Sequence, residues 1–119
     1  MPSVMLAEDD MTMVTLLQTL LGMEGYQVIA LTVDDDVFEA ARKDRPDVLL
    51  LDVHLHQANG LDVLDQVRKD NDIGDLKVVM TSGLNLELEC KNHGADDFLL
   101  KPYMPDDLLK ILKRNISQS

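Results

Sequence analysis

The stretch VLLLDVHLHQANG, residues 48–60, starts with four apolar residues and then reaches an acid, Asp52. A short run of Val and Leu without polar alternation is typical of a strand that is covered on both faces of a parallel sheet. Asp52 therefore lies where a buried strand leaves the core. Because a buried carboxylate is unfavourable unless it is paired, this position predicts a chemical role for Asp52 rather than a packing role.

Similar short apolar runs recur along the chain and predict further strands. The runs are residues 3–7, 26–31, 48–53, 77–80 and 97–100. Apolar residues three and four apart predict helices between them, around residues 13–21, 37–41, 61–67 and 108–116. Asp10 or Thr12 would cap the first helix and Gly25 would end it, while Pro105 lies near the start of the last. The alternation predicts one α/β domain with a parallel sheet and helices on both faces.

The segment LNLELEC, residues 84–90, does not fit one period. Its apolar and polar residues alternate as in a half-exposed strand, yet its leucines also stand four apart, and Gly94 would stop a helix. The strand–helix rhythm on either side favours a helix, and we predict a helix here. Leucines of this segment that stay outside the core would form a docking patch.

Composition and charge limit the classes of function. The 119 residues suit a single domain over residues 1–119, in which residues 115–119 read as a polar tail or the start of a linker. A hydrophobic content of 45% argues against disorder. The formal charge of −11 disfavours direct contact with nucleic acid or an anionic membrane surface, and it suits a basic protein patch or a divalent cation.

The cysteine count and the N-terminus indicate the compartment. Cys90 is the only cysteine, so no internal disulfide can form, and we expect it to be a small buried hydrophobe. The start of the chain carries three acids where a signal peptide would be basic and then apolar, and no apolar run approaches a membrane span. A soluble, cytoplasmic protein is expected.

Polar residues follow the predicted strands at the end of each. They are Glu8, Asp9 and Asp10 after the first strand, Asp52 at the end of the third, Thr81 and Ser82 at the end of the fourth, and Lys101 after the fifth. Because the carboxyl ends of parallel strands share one edge, these side chains should converge on one crevice. Clustered carboxylates suit Mg²⁺, and a cation, a lysine and a hydroxyl around one carboxylate suit phosphoryl transfer, with the carboxylate itself as acceptor.

Four motifs in order carry a resemblance to a known family. They are LAEDD (6–10), DVLLLDVHLHQANG (47–60), VVMTSG (78–83) and GADDFLLKPY (94–103). With them the chain resembles a response-regulator receiver domain, the CheY-like module of two-component signalling, over essentially its whole length. The resemblance implies a flavodoxin-like (βα)5 fold with sheet order 2-1-3-4-5. It also implies a signalling switch that catalyses only its own phosphorylation and slow dephosphorylation.

The resemblance assigns an acceptor and a metal site. Asp52 corresponds to the phosphate acceptor, and Glu8 and Asp9 to the acid pair that helps to bind Mg²⁺, with Asp9 the more direct ligand. The backbone carbonyl of His54 would complete the protein's share of the site. Asp10 we interpret as a helix cap rather than as a ligand.

The resemblance also assigns the switch residues. Ser82 corresponds to the hydroxyl that moves to the phosphoryl group; Thr81 adjoins it, but the spacing favours Ser82. Lys101 would pair first with the acceptor and then with the phosphate. Phe98 corresponds to an aromatic ring that turns inward, and the bond before Pro102 is expected to be cis.

The chain departs from the family pattern in the loop after Asp52. His56 stands where the family usually has proline, and His54 and Leu84 occupy positions that tune the lifetime of the phosphate. His54 and His56 could share a face and bind a transition metal, but with no third ligand nearby we interpret them as loop residues.

Two other functions compete with the switch. A phosphatase of the haloacid-dehalogenase type also forms an aspartyl phosphate, but it needs a second Asp two residues after the first, where this chain has His54. A receiver-like docking or dimerisation module that is never phosphorylated is the alternative that the HLHQANG loop keeps open.

The resemblance implies several partners. A sensor histidine kinase or a phosphotransfer protein would supply the phosphoryl group. The fourth helix, fifth strand and fifth helix would present the readout surface to a downstream protein or an attached output domain. A homodimer that forms on phosphorylation is a further expectation.

Overall fold

The computed structural model describes residues 1–116 and consists of a five-stranded sheet between two layers of helices. The strands are β1 (Ser3–Ala7), β2 (Gln27–Ala30), β3 (Val48–Asp52), β4 (Lys77–Ser82) and β5 (Asp97–Leu100). The helices are α1 (Met11–Met23), α2 (Val37–Asp44), α3 (Gly60–Lys69), α4 (Glu87–Asn92) and α5 (Pro105–Ile116). The sheet order is β2-β1-β3-β4-β5 and every pair is parallel, which confirms the predicted fold class.

The strand order places the site. The chain leaves β1 towards β2 on one side and returns to β3 on the other, so the order reverses between β1 and β3. In open α/β sheets, ligands bind outside the carboxyl ends of the strands at such a reversal. Ala7 of β1 pairs with Leu51 of β3, and Asp52 pairs with Thr81 of β4. The residues that follow β1 therefore lie beside Asp52.

β3 is buried along its whole length, as its sequence predicted. Its side chains alternate between two hydrophobic cores, one on each face of the sheet. Leu49 and Leu51 pack with α2, α3 and α4, while Val48 and Leu50 pack with α1 and α5. Within residues 1–116, none of the helices has both the length and the apolar character that a membrane span requires.

Both ends of α1 are fixed by their sequence. Asp10 is the N-cap and accepts the backbone N–H groups of Thr12 and Met13, so the alternative cap at Thr12 is excluded. Gly25 follows the helix with φ +88, and the Tyr26 N–H donates to the Leu21 carbonyl at 3.0 Å. This bond pattern is the Schellman motif, in which glycine adopts the left-handed conformation that other residues disfavour.

The ambiguous segment forms a helix, as predicted, but the helix is shifted along the chain. α4 begins at Glu87 and ends at Asn92, so Leu84 and Leu86 precede it. Cys90 is fully buried and is the one buried residue of this helix, which confirms its predicted place in the core. Two pairs of residues four apart suggested the helix, Leu84 with Leu88 and Leu86 with Cys90. Each pair has its first residue before α4, so the pairs do not form a stripe along the helix.

The predicted polar tail from residue 115 is wrong at its first two residues. α5 continues through Asn115 and Ile116. The Asn115 side chain is buried and donates to the Asp97 carboxylate of β5 and to the Ile111 carbonyl, both at 2.8 Å. These two bonds hold the last turn of α5 in the core, although its composition reads as polar. The rest of the predicted tail, residues 117–119, lies outside the described residues.

Gly60 holds the start of α3 against the end of β3. A Cβ atom at this position would lie 2.3 Å from the Asp52 carbonyl oxygen and 2.8 Å from the Val53 Cα. The Gly60 N–H also donates to the Val53 carbonyl at 2.7 Å. Only glycine permits this approach, and the approach fixes the backbone that carries Asp52.

We predict that Gly60→Ala lowers the free energy of unfolding by roughly 1–3 kcal/mol, because the added methyl group overlaps two backbone atoms that cannot rotate away. Urea unfolding followed by circular dichroism measures this loss. Gly83→Ala is the matched control, since a Cβ there has no atom within 4 Å and φ is not positive. Equal losses in both variants would contradict the packing argument.

Candidate functional site

The strand ends bring three charged side chains into direct contact. The Lys101 ammonium, which follows β5, donates to Asp52 Oδ2 at 2.6 Å and also to Glu8 Oε1. Glu8 lies 93 residues away in the chain and Asp52 lies 49 residues away. These three residues were predicted from the sequence to converge, and the structure brings them together.

This ion-paired group is largely buried. The side chains of Asp52 and Glu8 are 9% and 10% exposed, and that of Lys101 is 22% exposed. Burial alone would lower the pKa of Lys101, but the hydrogen bonds and charges of Asp52 and Glu8 outweigh burial and raise the pKa above its ordinary value. Lys101 is therefore a fixed cation at neutral pH, and its ammonium group lies against both acids.

Backbone N–H groups occupy the remaining oxygens of these two acids. Asp52 Oδ1 accepts the His54 N–H at 3.0 Å, and Glu8 Oε2 accepts the Asp10 N–H at 3.1 Å. Each acid thus has one oxygen on Lys101 and one on the backbone. Charged acceptors with such donors are held in one orientation.

Asp9 has a different partner from its neighbours. Its Oδ2 accepts the backbone N–H of His56 at 2.5 Å, across 47 residues of sequence. This bond joins the loop after β1 to the loop after β3. The partner is a main-chain group, so no residue type in the sequence predicts this bond.

The set of oxygen donors fits a divalent cation in kind and in charge. Glu8, Asp9 and Asp52 carry three negative charges and Lys101 one positive charge, which leaves −2 at the edge of the sheet. Oxygen ligands are those that Mg²⁺ prefers. As the side chains stand, however, no three Asp, Glu, His or Cys groups within residues 1–116 are gathered so that they could hold a metal ion. Lys101 separates Glu8 from Asp52, and Asp9 is bonded to the other loop.

Two hydroxyl groups end β4 beside the acids. Ser82 is fully buried, and its Oγ accepts the Leu84 N–H at 3.0 Å. Its carbonyl accepts the Lys101 N–H at 2.8 Å, which ties the end of β4 to the lysine. Thr81 is also buried and stands opposite Asp52 in the sheet.

The remaining candidates lie on β5 and just after it. Phe98 is half-buried against the core on the α2–α3–α4 face and stands opposite Met80. The Lys101–Pro102 peptide bond is cis. Tyr103 was not predicted as part of the site. Burial raises the pKa of Tyr103 to about 12; the Lys101 charge opposes this rise, and the charges of Glu8 and Asp52 add to it.

The two histidines after Asp52 do not form a metal site. His54 and His56 both have exposed side chains, and the described part of the chain places neither in a group that could hold a metal ion. Their backbone N–H groups, rather than their rings, contact the site.

A second ionisable pair links α4 to α3. The Nδ1 atom of His93, at the end of α4, lies 2.8 Å from Asp65 Oδ1. This hydrogen bond raises the pKa of His93 above 6.5; partial burial opposes the rise, and the charges of Asp65, Glu89 and Asp62 add to it. Protonated His93 therefore ties the two helices together.

We predict that this tie weakens as the pH rises. Because the folded-state pKa lies above the unfolded value, the pair contributes its full stabilisation below about pH 6.5, and this contribution is lost as the pH passes the folded value. An NMR titration of the His93 ring measures that pKa. Asp65→Asn should return it to its ordinary range, whereas Asp62→Asn removes only a weaker charge and should lower it less. An unchanged pKa in Asp65→Asn would contradict the assignment.

Comparison with known sequences is consistent with this geometry. The sequence model of the response regulator receiver domain matches residues 4–113. The transcriptional regulatory protein CpxR of Klebsiella pneumoniae is 32% identical, over 100% of this chain and 51% of CpxR. The alkaline phosphatase synthesis transcriptional regulatory protein PhoP of Bacillus subtilis is 29% identical, over 98% of this chain and 49% of PhoP. The chain thus spans about half the length of these curated relatives.

Solved structures agree with the sequence comparison. The receiver domain of the sensor histidine kinase PA1611 from Pseudomonas aeruginosa superposes with a TM-score of 0.85 at 25% identity, over 98% of both chains. That structure has a magnesium ion coordinated in its active site cleft. The receiver domain of NtrX from Brucella abortus superposes with a TM-score of 0.85 at 25% identity, over 98% of this chain and 99% of that one.

Proposed function

Because this chain belongs to the response regulator receiver domains, we propose that it forms a single receiver domain in which Asp52 accepts a phosphoryl group from a histidine kinase or a phosphotransfer protein. The observation that carries the proposal is the buried contact of Lys101 with Asp52 and Glu8 at the reversal of the strand order. Receiver domains are signalling modules rather than classical enzymes. The chemistry proposed here is the domain's own phosphorylation and slow dephosphorylation.

The ion pair suits Asp52 to act as the nucleophile. The Lys101 ammonium orients the Asp52 carboxylate, one oxygen of which can attack phosphorus while the bond from phosphorus to the donor breaks. The leaving group of the donor departs with the electron pair of the broken bond and then takes up any proton that it needs. The Lys101 ammonium then lies close enough to pair with the new phosphoryl oxygens, which places positive charge where negative charge develops.

We further propose that Mg²⁺ assists this transfer. Glu8, Asp9 and Asp52 would hold it with the backbone carbonyl of His54, and the cation would neutralise phosphoryl charge when bound. The net charge of −2 and the all-oxygen donor set support this assignment. Asp10 is already committed to capping α1 and takes no part.

Ser82 is the proposed switch hydroxyl. Its oxygen accepts a backbone N–H, so its own O–H stays available to donate to a phosphoryl oxygen. Its carbonyl accepts the backbone N–H of Lys101, so a shift of Ser82 would also move the chain at the end of β5. Phe98 on that strand is half-buried and is proposed to turn inward as Ser82 moves.

The readout surface is proposed to lie on α4, β5 and the start of α5. This surface, the α4–β5–α5 face, exposes several large apolar side chains: Leu84, Leu88, Leu100 and Met104. Leu86 instead packs against the core, so two of the three leucines of the predicted patch are exposed. Such a patch suits a downstream protein, an output domain or a second phosphorylated copy. We place the domain in the cytoplasm, and we assign any contact with DNA to another domain.

Intact-mass spectrometry after incubation with acetyl phosphate tests the acceptor. We expect one phosphoryl adduct in the presence of Mg²⁺, and none without Mg²⁺ or in Asp52→Asn. Asp47→Asn is the matched control, because Asp47 is an acid at the other end of β3 and should leave the adduct unchanged. If neither acetyl phosphate nor beryllofluoride modifies or binds the protein, the domain acts as a docking module that is never phosphorylated.

Self-association through the α4–β5–α5 face gives a second test. With beryllofluoride and Mg²⁺ we expect a dimer in sedimentation experiments, and Leu88→Ser should weaken it by a factor of about ten to a hundred, because a buried leucine contributes about 1.5–3 kcal/mol. Leu16→Ser is the control on α1, where the leucine is 62% exposed, against 74% for Leu88. Equal weakening by both substitutions would place the interface elsewhere.

A further inference from the structure

We infer that the backbone N–H of His56 is a latch on Asp9 that Mg²⁺ has to displace, so that residue 56 sets the affinity of the site for the cation. This inference rests on the proposed metal site. It concerns a positioning group in the chain itself, and it assigns to the loop after β3 a role in keeping the site closed.

Asp9 is the acid of the site whose partner is not Lys101. Glu8 and Asp52 are both bonded to the lysine, so their charges are already partly neutralised. Asp9 is instead bonded to the His56 N–H through Oδ2. Release of this one bond would free Asp9 Oδ2 for a hard cation, whereas release of Lys101 would break the central ion pair.

The loop presents this N–H group through its own hydrogen bonds. The Leu55 N–H donates to the Ala58 carbonyl at 3.3 Å, and His54 and Asn59 form an isolated antiparallel bridge. The Gly60 N–H closes the loop on the Val53 carbonyl. The turn at residues 55–58 is thus held from both ends and directs the amide of residue 56 towards Asp9.

The His56 ring takes no part in this contact. The ring is exposed, and the bond to Asp9 comes from the main chain. Any residue with a backbone N–H would therefore keep the latch, and proline, which has none, would remove it. A proline at this position, as in the family pattern, would therefore leave Asp9 without this contact.

The latch and the cation compete for the same carboxylate. A backbone N–H carries partial positive charge and occupies a lone pair of Oδ2, and a hydrogen bond to an ionised acceptor is among the stronger ones in proteins. A cation that binds through Oδ2 therefore displaces this donor as well as water. The bond from the His56 N–H to Asp9 Oδ2 in the structure is the latched state of the site.

Titration with magnesium chloride, followed by calorimetry on the whole chain, tests the inference. His56→Pro should bind Mg²⁺ about tenfold more tightly than the unaltered chain, because the competing charge-assisted bond is absent. His56→Ala keeps the N–H group and loses the ring, so its affinity should match that of the unaltered chain. Unchanged or weaker binding by His56→Pro would overturn the latch.

A second measurement keeps the inference testable if proline distorts the loop. In the unaltered chain, the NMR signal of the His56 amide should move as Mg²⁺ is added, while in Asp9→Asn this movement should be largely lost. If the NMR signal of the His56 amide does not move when Mg²⁺ binds, the latch is overturned, while the proposed function still stands. If none of these proteins binds Mg²⁺ at millimolar concentration, both the latch and the proposed metal site fail.

Discussion

The structure depends on one buried ion pair, in which the Lys101 ammonium joins Asp52 and Glu8 at the edge of the sheet. Neither acid is stable in that position alone, because a carboxylate withdrawn from water needs a counter-charge. The lysine follows β5, two strands away from β3, and its long side chain spans β4 to reach Asp52. The hydrogen bond from the Lys101 backbone N–H to the Ser82 carbonyl fixes the backbone from which this side chain extends. Sheet order, register and lysine length thus place one positive charge among acids from distant parts of the chain.

The sheet and the charged part of the site could be predicted from the sequence because both depend on side-chain type. The short apolar run Leu49, Leu50 and Leu51 favours a strand that is covered on both faces, and an acid directly after it is expected at the edge of the core. Strands that alternate with helices form a parallel sheet, and their carboxyl ends share one edge. Glu8 and Lys101 each come directly after a strand, so both could be placed at this edge although the distance between them was not known. The motifs added roles to these positions, and the strand order came from the resemblance alone.

The rest of the site could not be predicted because it depends on backbone groups and on partners distant in sequence. The His56 N–H that holds Asp9 has no signature beyond the absence of proline. Asn115 reads as part of a polar tail, because nothing local reveals that Asp97 accepts its amide in the core. The leucines around α4 satisfy strand and helix periods alike, so the pattern could not give the start of the helix at Glu87. For Asp9 and Asn115 a polar contact, rather than hydrophobic periodicity, decided the local structure.

α4 is the element whose attachment best suits movement. It has six residues, of which Cys90 is the buried one. Leu84, which precedes the helix, and Leu88, which lies within it, are both exposed. Much of its attachment is polar: His93 bonds Asp65, and the Arg68 side chain donates to the carbonyl of Gly94 at 2.8 Å. Polar ties at the surface exchange with water at little net cost, whereas buried apolar contacts do not. A helix with few buried contacts opens at lower free energy than its neighbours. Because Ser82 precedes α4 and its carbonyl accepts the Lys101 N–H, the end of β4 connects this helix to the acid cluster.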